Sequence, residues 1–156
     1  TIPEEELKTH FAVPFIEKAK ALDAYISVQS EAAVAVTSGV SAMHDVTEGG
    51  ILGALWEIGA AADLGISADL TKIPIRQETI EVCEVFGINP YQMMSSGSML
   101  IGCAKGNLLV DRLKESGIPA AVIGRATDSN DRVITNGEET RFLEPAGSDE
   151  LYKIYE

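Results

Sequence analysis

Basic residues are scarce in this sequence. Lys and Arg number 12 against 24 Asp and Glu, which gives a formal net charge of −12. A chain without a basic cluster is a poor partner for polyanions such as nucleic acid or an anionic membrane. No apolar run approaches the roughly 20 residues that a membrane-spanning helix needs, and the glutamate-rich start is unlike a signal peptide. These absences predict a cytoplasmic protein with no nucleic-acid and no membrane partner.

Cysteine is equally sparse, with only Cys83 and Cys103. The two share no C-x-x-C spacing and have no nearby His partner, so no metal site is predicted from them. Both lie in apolar segments and are interpreted as reduced core residues, with a disulfide between them as the alternative. The chain does not start with Met, and its first residues look like a segment entered from upstream, so we expect a fragment of a longer protein.

Hydrophobic residues make up 46% of the 156 residues, enough for one globular domain with its own core. Apolar periodicity and stop signals predict helices from Pro14, over Ser30–Thr37 with Ser30 as the cap, and over Glu48–Ala62, Arg76–Phe86 and Asn107–Ser116. Strands are predicted over Val40–Met43, Gly65–Leu70, Met99–Ala104 and Ala120–Ala126, followed by a hairpin over Arg132–Leu143 that turns at Asn136-Gly137. Because this hairpin interrupts the alternation of strand and helix, the pattern favours an α+β fold with a small mixed or antiparallel sheet.

The segment from His44 to Gly50 (HDVTEGG) joins a predicted strand directly to a long apolar helix. Asp45 and Glu48 have the spacing of a capping box, which explains them without any ligand. Alternatively, glycines at the head of a helix let a ligand approach the unpaired N–H groups of the first turn, which attract anions. On that interpretation, the phosphate or substrate contacts are Thr47, Gly49 and Gly50, and the catalytic candidates are His44 and Asp45.

A second candidate is the turn Ser95-Ser96-Gly97-Ser98. Its hydroxyls can donate hydrogen bonds to an oxyanion or a carbonyl, and its glycine leaves the local N–H groups accessible. An ordinary surface turn contains the same residues. No segment matches a G-x-S-x-G elbow, a Walker A loop, a zinc site or a dinucleotide-binding glycine loop. Neither candidate defines an enzyme by itself.

Three blocks of sequence, taken in order, resemble a known family. They are AMHDVTEGGILGALWEIGAAADLGISADLTKIPI, ETIEVCEVFGINPYQMMSSGSMLIGCA and IPAAVIGRAT. Over about residues 34–143 the chain resembles the C-terminal domain of the aminoimidazole ribonucleotide (AIR) synthetase-related superfamily, the PurM-like C-terminal domain, and within it the HypE branch of hydrogenase expression/formation proteins. The resemblance implies an α+β domain of helices on a small sheet, with residues 1–33 as a helical lead-in, 34–146 as the domain and 147–156 as a tail.

The resemblance also implies an ATP-dependent enzyme of the hydrogenase maturation type, or a paralogue. In full-length members an N-terminal domain holds most of the ATP and Mg²⁺ contacts and forms a homodimer, and we expect that domain to lie outside this fragment. The substrate would be a small or carrier-bound molecule, and a further maturation protein would be a partner. The residues that would contact substrate or phosphate are Thr47, Gly49, Gly50, Ser95, Ser96 and Gly97. No metal ligand or cofactor is intrinsic to the fragment, which is expected to be inactive alone.

The chain departs from the HypE pattern at three places. Val46 and Glu48 stand where the motif D-P-T-R-G-G has Pro and Arg, so a positive charge has become negative. The serine-glycine turn replaces Asn-Glu-Gly, and no Pro-Arg-Ile-Cys tail ends the chain. These departures favour a paralogue with another substrate over synthesis of the cyanide ligand of hydrogenase. The competing hypothesis is a non-catalytic binding or scaffolding module that retains the fold.

Overall fold

The computed structural model describes residues 4–155. Over these residues the α-helices are α1 Glu4–His10, α2 Val13–Lys20, α3 Gln29–Val36, α4 Gly50–Ala62, α5 Gln77–Phe86 and α6 Gly106–Glu115. The strands are β1 Val40–Asp45, β2 Gly65–Asp69, β3 Met99–Cys103, β4 Gly124–Thr127, β5 Arg132–Asn136 and β6 Glu139–Phe142. Short 3₁₀ helices cover Ala21–Tyr25, Leu70–Lys72 and Glu150–Tyr155. This combination confirms the predicted α+β class.

The strands within residues 4–155 form two small sheets. β1 and β3 pair antiparallel in a two-stranded sheet, in which Asp45 lies opposite Met99. The second sheet has the order β4-β2-β5-β6, with β2 and β5 parallel and the outer pairs antiparallel. The predicted hairpin is confirmed: Asn136 of β5 lies opposite Glu139 of β6, and Gly137 supplies a positive φ of 62° at the turn. The second sheet is therefore mixed, one of the two predicted kinds.

Helix α4 is the central element of the core. Its sequence, GILGALWEIGAAA, contains one charged residue, and the helix contacts β2 as well as the β1–β3 pair. The main buried cluster joins α4 to the mixed sheet and consists of Leu52, Leu55, Ile66, Ala68, Ile134 and Leu143. Burial on more than one side was predicted from its nearly continuous apolar surface and is confirmed. Because α4 is packed on more than one side, the position of its first turn, where the candidate site lies, is fixed.

The lead-in helices α1 and α2 pack against α5. Leu7 of α1, Ile16 of α2 and Val82 of α5 are buried together, with Phe11, Phe15 and Phe86 around them. Phe11 and Phe15 stack with ring centroids 4.3 Å apart. The division of the chain at residues 33 and 146 stays a prediction, since packing alone does not show which segment folds independently.

An ion pair ties the lead-in to α5. The Glu78 carboxylate is 5% exposed and pairs with the Lys18 ammonium. The hydrogen bond from Lys18, with smaller help from the backbone N–H of Glu78, holds the pKa of Glu78 below its usual value of 4.5. A carboxyl whose pKa is lower in the folded chain contributes stability above the unfolded value, and this contribution is lost as the pH falls through the folded value.

We therefore expect Glu78→Gln to be less stable than wild type near pH 7, and the difference to shrink as the pH falls below about 4. Urea unfolding followed by circular dichroism at both pH values measures this. Glu115→Gln removes an exposed carboxylate of α6 as a control. A difference that is the same at both pH values would contradict the assignment.

Several predicted boundaries differ from the structure. The cap of α3 is Val28 and that of α6 is Lys105, in place of the predicted Ser30 and Asn107, and neither makes a side-chain cap bond. The strand predicted over Ala120–Ala126 is confined to Gly124–Thr127. Its antiparallel partner β2 pairs with it from Gly65 to Ala68, and the Asp69 N–H donates to the Ile123 carbonyl at 2.8 Å directly before the strand begins. Among the described residues, no helix is long and apolar enough to cross a membrane.

Candidate functional site

The candidate site begins where β1 passes into α4. Val46 follows the strand, is fully buried, and donates its N–H to the Ser98 carbonyl at 3.0 Å. Gly49 and Gly50 then adopt φ values of 79° and 61°, in the left-handed region that side chains with a Cβ disfavour. The chain turns sharply there and α4 starts at Gly50. We call residues 45–50 the glycine junction.

The serine turn, residues 95–98, adjoins the glycine junction. It leads into β3, which pairs with β1, so the Val46–Ser98 hydrogen bond continues the ladder beyond Asp45 and Met99. Ser95 Oγ donates to the Met93 carbonyl at 2.9 Å, and the Ser98 N–H donates to the Ser95 carbonyl at 3.0 Å. The structure therefore brings the two predicted segments to the same end of the two-stranded sheet.

Gly97 is held against the lead-in. Its φ is 92°, and an added Cβ would collide with the carbonyl oxygen of Tyr25. The serine turn is therefore shaped by backbone packing against the 3₁₀ helix Ala21–Tyr25, while the Ser96 side chain stays exposed. This explains Gly97 without a ligand and leaves the Ser96 hydroxyl accessible.

The loop before the serine turn covers the start of α4. An added Cβ at Gly50 would lie 2.6 Å from the Tyr91 carbonyl oxygen and 2.7 Å from that of Met93. Leu52 donates its N–H to the Tyr91 carbonyl at 3.1 Å, and Gly50 donates its own to the Thr47 carbonyl at 3.1 Å. These first-turn donors are therefore paired within the chain, and Gly50 is required by the close approach of another backbone.

The N–H of Gly49 is held by the C-terminal segment. Gly49 donates its N–H to Asp149 Oδ2 at 2.9 Å, and the Asp149 carboxylate is only 3% exposed. Asp149 Oδ1 accepts from the Leu151 N–H at 2.9 Å. Ala146 lies over the same turn, because an added Cβ at Gly49 would be 2.6 Å from the Ala146 Cβ. A carboxylate of the chain itself thus occupies the N-terminal end of α4, where anions are stabilised.

The capping box predicted from Asp45 and Glu48 is wrong. The cap position of α4 is Gly49, with no side-chain cap bond, and Asp45 is still part of β1. The Glu48 carboxylate instead accepts a hydrogen bond from the Tyr152 hydroxyl at 2.8 Å. Two left-handed glycines separate the strand from the helix, so the local spacing does not place Asp45 at the cap.

His44 is anchored at both ring nitrogens. Nδ1 lies 2.6 Å from the Asp45 carbonyl oxygen and Nε2 lies 2.8 Å from Glu57 Oε2. Both neighbours are oxygen atoms. The two contacts can be hydrogen bonds at the same time in two ways: each ring nitrogen carries a proton, or Glu57 carries the proton that it shares with Nε2. In this arrangement the imidazole ties β1 to α4. To exchange a proton with a substrate it would have to release one of these partners.

The junction, with the C-terminal segment seated, does not fit a bound phosphate group. The Gly49 N–H is already bonded to Asp149. The carboxylates of Asp149 and Glu48 also add negative charge beside the junction, which disfavours a phosphate. Thr47 and Asp45 are exposed at its surface. Among residues 4–155, no three His, Cys, Asp or Glu side chains are grouped so that they could hold a metal ion.

Sequence reasoning missed Glu57 and Asp149. Glu57 is the single charged residue of α4, and a lone carboxylate in an otherwise apolar helix is the signal that could have drawn attention to it. Asp149 lies in GSDEL, an ordinary polar stretch, and its partner is 100 residues away in the sequence. Nothing in the local pattern marks it.

The two cysteines are free in the structure. Cys83 is buried in α5, and its burial raises the pKa of the thiol to about 11. Cys103 is partly buried at the end of β3. The structure agrees with the interpretation of both cysteines as reduced. A protonated thiol at neutral pH makes Cys83 a packing residue rather than a nucleophile.

The fold and the glycine junction describe an α+β domain built around one central apolar helix. The family described as "AIR synthase related protein, C-terminal domain" has a model that matches residues 2–136. The chain therefore belongs to this family, as the three sequence blocks predicted.

Curated relatives include carbamoyl dehydratase HypE of Rhodobacter capsulatus, 32% identical over 97 residues that cover 60% of this chain and 28% of the relative. The phosphoribosylformylglycinamidine synthase subunit PurL of Chelativorans sp. is 30% identical over 149 residues, or 92% of this chain and 18% of that protein. The chain thus spans less than a third of the length of these two relatives.

Solved structures share the fold. Escherichia coli HypE, described as a hydrogenase maturation protein, superimposes with a TM-score of 0.64 at 24% identity, over 74% of this chain and 38% of that one. PurL of Thermotoga maritima in complex with FGAR gives a TM-score of 0.56 at 18% identity, over 70% of this chain and 18% of that one. At these identities the comparison shows the fold alone, and it agrees with the predicted PurM-like C-terminal domain.

Proposed function

We propose that this chain is the C-terminal domain of an ATP-dependent, HypE-like enzyme of the AIR synthase-related family, of the hydrogenase maturation type or a paralogue. The observation that carries the proposal is the adjacency of the glycine junction and the serine turn, joined by the Val46–Ser98 hydrogen bond. Family membership and the 32% identity to a carbamoyl dehydratase support the same class.

The residues proposed to meet the substrate or its phosphate lie on these two segments. Thr47 and Ser96 are exposed and can donate through their hydroxyls, whereas Ser95 and Gly97 shape the turn. Gly49 and Gly50 shape the junction, and Gly49 offers its N–H once Asp149 withdraws. Asp45 is the exposed carboxylate, and His44 is the second catalytic candidate after release of Glu57 or the Asp45 carbonyl.

Complexes of its relatives support two parts of the proposal for the full-length protein, the ATP and the maturation-protein partner. Structures of HypE and of Thermotoga maritima PurL have been determined in complex with ATP, and one HypE structure is a complex with HypF. We propose ATP with Mg²⁺ as the cofactor, held mostly by an N-terminal domain. A homodimer, a small or carrier-bound substrate, a maturation-protein partner and a cytoplasmic location complete the proposal.

The experiment compares the full-length parent chain with residues 1–156 for stabilisation by MgATP and for its hydrolysis. At 100 times its dissociation constant, a ligand adds about 2.7 kcal/mol to the free energy of unfolding. We expect the parent to be stabilised and to hydrolyse ATP, and the fragment, shown to be folded by circular dichroism, to do neither. Robust hydrolysis by the fragment alone would defeat this division of labour.

The alternative is a non-catalytic binding or scaffolding module. It is favoured by the engagement of both His44 ring nitrogens and by the Asp149 carboxylate on the Gly49 donor. A parent protein that shows no thermal response to MgATP would support this alternative over the enzyme.

A further inference from the structure

The segment after β6 crosses back over the glycine junction. Leu143 is buried, and its N–H donates to the Arg132 carbonyl at 2.7 Å, which anchors the point where the segment leaves the core. Residues 144–155, which we call the C-terminal strap, then pass over the start of α4 through Ala146 and Asp149 and end in the 3₁₀ helix Glu150–Tyr155.

Polar contacts, rather than apolar burial, hold the strap. Asp149 is its one buried side chain among the residues described. Glu150 accepts from the Asn89 N–H at 3.1 Å and donates its own N–H to the Gln92 carbonyl at 3.3 Å, and Tyr152 reaches Glu48 at an exposed site. Segments with few buried apolar contacts open locally at much lower free energy than a core unfolds. The strap can therefore detach while the packing of α4 against both sheets persists.

Asp149 satisfies the helix end as an anion. Its two oxygens accept from the N–H groups of Gly49 and Leu151, and no salt bridge within residues 4–155 involves it. A carboxylate without a cation is tolerated in a buried position because the backbone N–H groups and the helix dipole stabilise its charge. The same features stabilise a phosphate oxygen, and the single Gly49 N–H cannot serve both anions.

We propose that the C-terminal strap is an autoinhibitory element, in which Asp149 stands in for a phosphate-bearing ligand at the glycine junction and must withdraw before that ligand reaches the Gly49 N–H. This inference rests on the proposed function, since it assumes that the junction takes a phosphate group. In addition, Asp149 competes with the ligand for the Gly49 N–H. The measured affinity for the ligand therefore includes the free energy that opening the strap costs.

The first test measures the dissociation constant of MgATP by calorimetry in the full-length protein. Asp149→Asn keeps the shape of the side chain and removes its charge, and Asp111→Asn removes an exposed charge on α6 as the matched control. We expect MgATP to bind about threefold to tenfold more tightly to Asp149→Asn, the range expected for a carboxylate at a helix N-terminus. The control should bind like wild type.

The second test locks the strap closed. An ideal Cβ at Gly53 lies 3.1 Å from the Ala146 Cβ, near the separation of about 3.5–4.5 Å in disulfides, so Gly53→Cys with Ala146→Cys can cross-link the strap to α4. Cys103→Ser in the same protein removes the partly buried native thiol. We expect the oxidised protein to lose at least about tenfold in MgATP affinity and reduction to restore it.

The outcomes separate this inference from the proposed function. The autoinhibitory role of the strap is overturned if wild type, Asp149→Asn and Asp111→Asn bind MgATP with equal affinity. It is also overturned if the oxidised and reduced forms of the cross-linked protein do so. In both cases the proposal of ATP binding stands. If no variant binds MgATP even after Asp149→Asn or reduction, the proposed function fails, and the competition fails with it.

Discussion

Replacing Gly50 with alanine lowers the free energy of unfolding by about 3–5 kcal/mol. Two costs combine at this position. The residue has a φ of 61°, which disfavours any Cβ, and the new Cβ would lie 2.6 Å and 2.7 Å from the carbonyl oxygens of Tyr91 and Met93. Because the obstacles are backbone atoms, relief requires the loop before the serine turn to move away from α4. Urea unfolding of both proteins measures the loss.

Gly87→Ala is the matched control. Gly87 ends α5 with a φ of 62°, nearly the same as that of Gly50, but an added Cβ there meets nothing within 4 Å. It should lose only the left-handed strain, about 1–2 kcal/mol. The difference between the two variants therefore isolates the close contact between the glycine junction and the loop at residues 91–93. Equal losses would mean that this contact is absent in solution.

The second large effect is expected in the core that holds the junction. Leu55 is 3% exposed in the cluster between α4 and the mixed sheet, so Leu55→Ala removes buried methyl groups and leaves a cavity. The expected loss is about 2–5 kcal/mol in the free energy of unfolding, measured by urea denaturation.

Leu108→Ala makes the same chemical change on α6, where the side chain is 48% exposed. Its loss should stay below about 1 kcal/mol, as for most surface substitutions. If Leu55→Ala were as mild as this control, α4 would not be the buried centre of the domain, and the position of its first turn would not be fixed by packing.

The elements that the sequence predicted well are those with strong local signals. The nearly all-apolar run of α4 and the Asn136-Gly137 turn are each determined by residues that are close together in the sequence. The cap of α4 was mispredicted because spacing alone cannot show that Gly49 and Gly50 both turn left-handed. The start of β4 at Gly124 depends on its pairing with β2, which the local pattern does not contain.

The candidate site likewise has parts with a local sequence signal and parts without one. The glycine junction and the serine turn were found as separate motifs, and their adjacency depends on the pairing of β1 with β3, more than 50 residues later in the chain. No periodicity encodes that pairing, and the family resemblance implied only that residues of both motifs contact the substrate or its phosphate. The Asp149–Gly49 contact joins residues 100 positions apart and has neither a local signal nor a motif, so only the folded structure reveals it.

The proposed site and the strap both depend on one contact, in which a carboxylate of the chain holds the Gly49 N–H at the start of α4. Deuterium exchange of the peptide that spans residues 47–52, followed by mass spectrometry in the full-length protein without ligand, measures the protection that this contact gives. Slow exchange is expected in wild type and in Asp111→Asn, with exchange about tenfold faster in Asp149→Asn, because a hydrogen bond to a neutral amide is weaker than one to a carboxylate. Rapid exchange of this peptide in wild type, or an unchanged rate in Asp149→Asn, would contradict the claim.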